Sequence, residues 1–187
     1  PTYNMMANLL ASRTEVEAAE LLANSFAQFQ WVRNTRNINS GLLEEVALRR
    51  NVLEATGLAD GWSLTETGMP LTKIFNESDL LITRSISDGI FDGLRPEELA
   101  ALISCFIFRN RGNDSRRGKR GDGEDFTNSR IEELMSLSAE IEKIEARNGL
   151  EPITSPNSGF AKVLFDWVSG QTLSQVLRRD FTGGEFV

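Results

Sequence analysis

A chain of 187 residues, 40% apolar and 25% charged, has an ordinary globular composition and the length for one sizeable core or two small ones. Its formal charge of −7 argues against a generally basic, nucleic-acid-binding surface, and no apolar run reaches the roughly 18 residues of a membrane span. With no histidine and one cysteine, Ser-His-Asp triads, Cys-His dyads, zinc held by His or thiolates, and any intrachain disulfide are all excluded.

The elements read as mostly helical. A first helix is expected over 4–11 and a second over 14–29, where Val16, Ala19, Leu22 and Phe26 recur at helical spacing. A third, over 40–56, carries Leu43, Val46, Ala47, Val52 and Leu53 and stops at Gly57, a natural left-handed cap. The stretch 58–68, with Gly61-Trp62-Ser63-Leu64-Thr65 at its centre, alternates apolar and polar residues around glycine and predicts a short β-hairpin. A helix followed by such a ribbon and then by another helix is how the wing of a winged-helix domain reads.

From Met69 onward, helix follows helix. Residues 77–88 offer Leu80, Leu81 and Ile86 ahead of Gly89; Glu77 and Asp79 read as acids at this helix's N-terminus. Pro96 opens the next helix with Glu97 and Glu98 in its first turn, and the run 99–108 is apolar nearly all round, which places this helix centrally. Cys105 lies inside that run and reads as a buried structural thiol. Ser129 and Glu132 match a capping box ahead of a stripe of Ile131, Leu134, Ile141 and Ile144 that ends at Asn148-Gly149. Phe160, Val163, Leu164 and Trp167 predict a further helix closed by Gly170, and Thr172 with Gln175 opens a short one reaching about residue 179. The final Gly183-Gly184-Glu185-Phe186-Val187 reads as the first turn of a truncated helix.

Charge is uneven. Between Arg109 and Arg120 the chain carries six basic side chains and one acidic one, interrupted by glycine, Asn113, Asp114 and Ser115, so 109–126 is expected to be a flexible loop. Two readings stand: a solvated, self-neutralised loop, or an arm contacting phosphates without reading bases. The pattern G-x-x-x-x-G-K-[ST] is absent; Gly118-Lys119-Arg120-Gly121 lacks its spacing and its flanking strand, so these residues do not form a P-loop. Trp62 and Trp167 have the rings to stack on bases, but their surroundings favour core packing.

Three stretches then carry a resemblance. Pro1-Thr2-Tyr3-Asn4-Met5 through Ser25-Phe26-Ala27-Gln28-Phe29-Gln30, Glu77-Ser78-Asp79-Leu80-Leu81 through Pro96-Glu97-Glu98-Leu99-Ala100-Ala101-Leu102-Ile103-Ser104, and Ser158-Gly159-Phe160 through Trp167 and Gly170, then 181–187, together resemble the C-terminal (DSHCT) region of superkiller-type DExH-box RNA helicases, the actinobacterial HelY group in particular. The resemblance implies a mainly α fold, with a winged-helix remnant and its β-hairpin wing over 1–68 and a helical bundle, truncated at its C-terminus, over 69–187. It implies an accessory module that braces the RecA-like motor domains of the same polypeptide and lines the channel for single-stranded RNA. ATP and Mg would then belong to the motor and no cofactor to this stretch. The family's long arch insertion is missing near 31–38, and Asn110 stands where relatives carry an acidic residue thought to face RNA.

The RNA-binding candidates are accordingly Arg109, Asn110 and Arg111 at the end of the central helix, and Arg116, Arg117, Lys119 and Arg120 in the loop. No catalytic or metal-ligating residue is expected. A monomeric, cytoplasmic fragment with no membrane contact and weak RNA binding of its own is the expectation. The alternatives are a free-standing winged-helix DNA-binding regulator, with Arg49 and Arg50 on its recognition helix, and a helical protein-interaction scaffold.

Overall fold

A computed structural model describes residues 1–25, 29, 41–108, 125–152 and 155–176. They are mainly α-helical with one two-stranded hairpin, as the sequence predicts. By their internal contacts they divide into two units, one of Pro1–Asp88 with Leu137–Thr154 and one of Gly89–Ser136 with Ser155–Val187.

The first unit is organised around helix α1 (Tyr3–Ser12), which starts where the Oγ1 of Thr2 accepts the Met5 N–H at 3.1 Å. Tyr3, Met6, Ala7 and Leu10 recur at helical spacing and are buried, so one face of α1 is wholly core. Helix α2 (Glu15–Ala23) begins in a capping box: Thr14 N–H donates to Glu17 Oε2 at 2.8 Å and Glu17 N–H to Thr14 Oγ1 at 3.3 Å.

Two expectations for α2 fail. Leu22 is buried as expected and Ala19 half-buried, but Val16 is 69% exposed and Ala18 is buried in its stead. The helix also ends at Ala23, short of 29: Asn24 Nδ2 donates to Glu20 O at 2.8 Å and Ser25 Oγ to Leu22 O at 2.7 Å, giving its last carbonyls side-chain partners, while Phe29 is again helical with its N–H on Ser25 O at 3.1 Å. Phe26 lies outside the described residues.

Helix α3 (Leu42–Ala55) buries Leu42, Val46, Arg49, Val52 and Leu53; Leu43 and Ala47, expected inside, are exposed. Gly57 takes φ +73° and Leu58 N–H returns to Leu53 O at 2.8 Å, the left-handed cap that the sequence predicts. The hairpin follows: β1 (Ala59–Asp60) pairs antiparallel with β2 (Ser63–Leu64) in the register Ala59 to Leu64 and Asp60 to Ser63. Trp62 projects from its turn, half-buried, with Nε1–H on the Arg13 carbonyl at 2.8 Å and the Arg50 guanidinium 6.0 Å from its ring centroid. A 3-10 helix (Met69–Lys73) and helix α4 (Asp79–Ser87) complete the sequence-contiguous part of this unit. Helix α1 packs on the 3-10 helix, α3, β2 and α4.

Helix α6 (Asp125–Arg147) contributes its residues from Leu137 onward to this first unit. It begins two residues inside the stretch read as a loop, and Ser129 therefore lies within the helix and is not its cap. Leu134 and Ile141 are buried as expected, and the helix ends with Leu150 N–H on Glu145 O at 2.9 Å, beside Gly149.

The second unit is built on helix α5 (Pro96–Ile107), which packs along helix α7 (Ala161–Val168) and the 3-10 helix Ser158–Phe160 before it. Pro96 is at the first helical position. Arg95 N–H donates to Glu98 Oε2 at 2.7 Å and its guanidinium to Oε1 at 2.9 Å, so the Arg95 side chain and then its backbone hold the Glu98 carboxyl below the usual carboxylate range. Ala101, Leu102, Cys105 and Phe106 face the core, but Leu99, Ile103 and Ile107 are exposed; α5 is covered on one side and not all round. Burial pushes the Cys105 thiol up to about 12. In α7, Val163 is buried and Trp167 remains 47% exposed. Helix α8 (Leu173–Val176) opens with Thr172 N–H on Gln175 Oε1 at 2.8 Å, the predicted box; residues beyond Val176 lie outside the description.

Among the described residues no helix is long and apolar enough to cross a membrane. One glycine carries an unusually hard constraint. A Cβ placed on Gly68 would stand 1.9 Å from the Leu58 carbonyl oxygen, a backbone atom that cannot swing aside. The substitution Gly68→Ala is therefore expected to cost about 1–3 kcal/mol of stability, read as a lowered urea midpoint at unchanged slope.

Candidate nucleic-acid interface

The basic segment departs from the end of α5, and that end is firmly held. Phe108, its C-cap, stacks on Phe160 with ring centroids 5.1 Å apart and planes 12° apart, and both join the core of Val163, Leu164 and Val176. Asn157 N–H donates to Cys105 O at 2.8 Å, tying the entry of the Ser158–Phe160 turn to the last turn of α5. Gly159 sits against Phe108, where an added Cβ would lie 3.4 Å from the ring. All seven residues that the sequence singles out, Arg109, Asn110, Arg111, Arg116, Arg117, Lys119 and Arg120, lie outside the described residues.

The described cations divide cleanly. Arg49 pairs with Glu45 at 2.8 Å, Arg50 with Glu15 at 3.1 Å, Arg84 with Asp88 at 3.0 Å, Arg95 with Glu98 at 2.9 Å, Arg130 with Glu133 at 2.8 Å and Lys162 with Asp166 at 3.2 Å. Arg13, Lys73, Lys143 and Arg147 form no ion pair with another described residue, and positive charge free to meet phosphate is confined to them within the described part. This bears on the recognition-helix alternative. Arg49 is 8% exposed with its guanidinium 5.6 Å from the Tyr3 ring centroid, and Arg50 is engaged by Glu15, Glu54 and Trp62, so neither arginine of α3 is presented to a DNA groove.

Sequence reasoning missed a buried polar junction in the first unit. Asn4 N–H donates to Asp79 Oδ2 at 2.7 Å, Leu80 N–H to Asp79 Oδ1 at 2.8 Å, and Asn4 Nδ2 to Leu71 O at 2.8 Å. Tyr3 O–H donates to Glu145 Oε1 at 2.7 Å. The only signal for it was Asp79's place at a helix start, which suggests a solvent-facing dipole partner; the residue is instead 1% exposed. Burial raises the Asp79 carboxyl above its ordinary range, opposed by the N–H groups of Asn4 and Leu80. Burial, then the bond to Glu145, raises the Tyr3 phenol as well.

Tyr3, Asp79 and Glu145, with Ser78, Ser138 and Glu142, line a cleft of about 20 Å³. That is room for one water molecule and not for a nucleotide. Among the described residues, no three acidic, histidine or cysteine side chains stand close enough to hold a metal ion.

Two outcomes follow. Tyr3→Phe should destabilise the chain by about 1.5–3 kcal/mol in chemical denaturation, because a buried carboxylate is deprived of its phenol donor. For Asp79 the folded pKa lies above the unfolded one, so the folded state binds that proton more tightly. Its contribution to stability is full below the ordinary carboxylate pKa and is lost as pH rises through the raised value. An NMR titration of Asp79 should accordingly give a midpoint above about 3.9. In denaturation, the stability difference between wild type and Asp79→Asn should shift toward the Asn variant as pH rises through that window.

Comparison with known proteins places this architecture. The chain matches the DSHCT (NUC185) domain over residues 61–187. It is 34% identical over 124 residues to the probable helicase HelY of Mycobacterium leprae, covering 65% of this chain and 13% of that protein. It is 26% identical over 143 residues to the ATP-dependent RNA helicase mtr4 of Schizosaccharomyces pombe, with 73% and 12% covered. To the Superkiller complex protein 2 of Mus musculus it is 26% identical over 141 residues, with 72% and 11% covered. The chain therefore spans only a small part of the length of each of these relatives. With the domain matched over more than half of its residues, the chain belongs to the DSHCT family found in helicases of the HelY, Mtr4 and superkiller type.

Proposed function

We propose that the chain is the C-terminal accessory module of an ATP-dependent RNA helicase, bracing RecA-like motor domains of the same polypeptide and lining the channel for single-stranded RNA. The observation that carries this reading is the DSHCT match over 61–187 together with relatives named as RNA helicases. In this reading residues 1–68 act as a winged-helix-like brace and 69–187 as a helical bundle. ATP and Mg serve the motor, which lies outside this chain, and the polypeptide works in the cytoplasm.

The charge distribution supports a division of labour. Most described cations are consumed by carboxylate partners, and the six basic side chains between Arg109 and Arg120 are the densest positive run in the chain. Phosphate contact by such a run is insensitive to base sequence and weakens as salt rises. The strong local pairing elsewhere suits a structural brace, which needs a fixed shape more than a positive surface.

The test is RNA binding by the full-length polypeptide across a salt series, with and without this module. The module's removal should abolish the salt-dependent component, and the 187-residue chain alone should bind RNA weakly. Replacing Arg109, Arg111, Arg116, Arg117, Lys119 and Arg120 with glutamine should lower the log–log salt slope by about 0.7 for each phosphate left without its cation, with no change in base preference. Sequence-specific duplex binding by the chain alone would instead favour a DNA-binding regulator. Absence of any nucleic-acid effect at low salt would leave a protein scaffold.

A further inference from the structure

Residues 73–78 alternate in burial although they form no strand. Lys73, Phe75 and Glu77 are exposed, whereas Ile74 and Asn76 are half-buried and Ser78 is buried. The backbone explains the first part of this: Ile74 is extended (φ −98°, ψ 113°), which sends Lys73 and Phe75 to the same side, whereas the chain turns over 76–78. Phe75 is 83% exposed, the highest value among the described large apolar side chains, and Lys73 has no ion-pair partner among the described residues.

The segment is nonetheless well anchored. The Leu71 and Thr72 carbonyls accept Asn4 Nδ2 at 2.8 Å and Asn8 Nδ2 at 3.4 Å, and Asn76 accepts Ser78 N–H on its side chain at 2.8 Å and Asp79 N–H on its carbonyl at 3.1 Å. An aromatic ring is thus held in water by a rigid support, with a cation beside it.

We propose that Lys73 and Phe75 form a stacking platform for one nucleotide of single-stranded RNA, Phe75 carrying the base and Lys73 the neighbouring phosphate. This rests on the RNA-helicase reading given above. Neither residue is among those that the charge pattern singles out. A dry protein contact suits the site less well. Burying Phe75 against a protein would strip water from Lys73, which flanks it on the same side, and the cores of protein interfaces are depleted of lysine. A base needs only the face of the ring, is tolerated whatever its identity, and leaves the flanking charge wet.

The experiment compares full-length wild type with Phe75→Ala, Phe75→Leu, Phe75→Trp and Lys73→Ala, using a fluorescein-labelled single-stranded RNA and a second RNA carrying 2-aminopurine. Phe75→Ala and Phe75→Leu should each weaken binding roughly tenfold, while Phe75→Trp keeps affinity and quenches 2-aminopurine. Lys73→Ala should lower the salt slope by about 0.7. Because both side chains are exposed, thermal melts should be unchanged. Wild-type affinity in Phe75→Ala overturns the platform and leaves the RNA-module reading standing. Full rescue by Phe75→Leu also overturns it, since an aliphatic residue would then serve an apolar protein contact equally well. Failure of the wild type to bind RNA at any salt overturns the reading and the platform with it.

Discussion

The carboxylate of Asp79 is the point on which the first unit depends. Both of its oxygens are satisfied by backbone N–H groups, one from α1 at Asn4 and one from its own helix at Leu80. A buried carboxylate without such donors is strongly disfavoured, so the burial of Asp79 and the docking of α1 are a single event. Asn4 extends the constraint by donating its side chain to Leu71 in the 3-10 helix, and Tyr3, one residue earlier, reaches Glu145 on α6. Segments 142 residues apart in sequence are thereby fixed with atomic geometry and not merely by apolar contact. Asn4 and Asp79 lie in two of the stretches that resemble the family, and they hold each other in place.

The second unit is stabilised differently. Its contacts are aromatic and aliphatic: Phe108 on Phe160, Phe91 within 6.2 Å of Phe106, and Val163 with Val176. Its polar ties include caps such as Arg95 with Glu98 and Thr172 with Gln175, and the bond from Asn157 N–H to Cys105 O. Apolar packing tolerates small rearrangements better than buried charge pairs do, so this unit has the more adaptable core.

Much of this was legible in the residues. Local chemistry sufficed for the start of α5 at Pro96, the left-handed cap at Gly57, the hairpin around Gly61 and the Thr172–Gln175 box, because each depends on residues within a few positions of one another. The full buried face of α2 was not legible: Val16 is the more apolar residue, and only the packing of α2 against α3 decides that Ala18 is covered and Val16 is not. Ser129 failed as a cap because α6 starts earlier, in a stretch whose glycines and charges read as loop. Asp79 and Glu145 were invisible as a junction, since a helix-terminal aspartate and a glutamate on a charged helix look solvated until distant donors arrive. Lys73 and Phe75 were missed for a related reason: an apolar residue near a helix start reads as core, and its exposure is decided by the extended turn at Ile74.

The lone thiol of Cys105 has a practical meaning beyond its place in the core. At 2% exposure and with its pKa pushed up to about 12, it is nearly silent toward electrophiles while the chain is folded. The molecule behaves toward such reagents as though it had no cysteine. A cysteine introduced at any exposed position would therefore be the sole reactive handle on the native fold. Two such cysteines, one introduced on each unit, would carry a pair of spectroscopic probes while the wild-type core stays untouched.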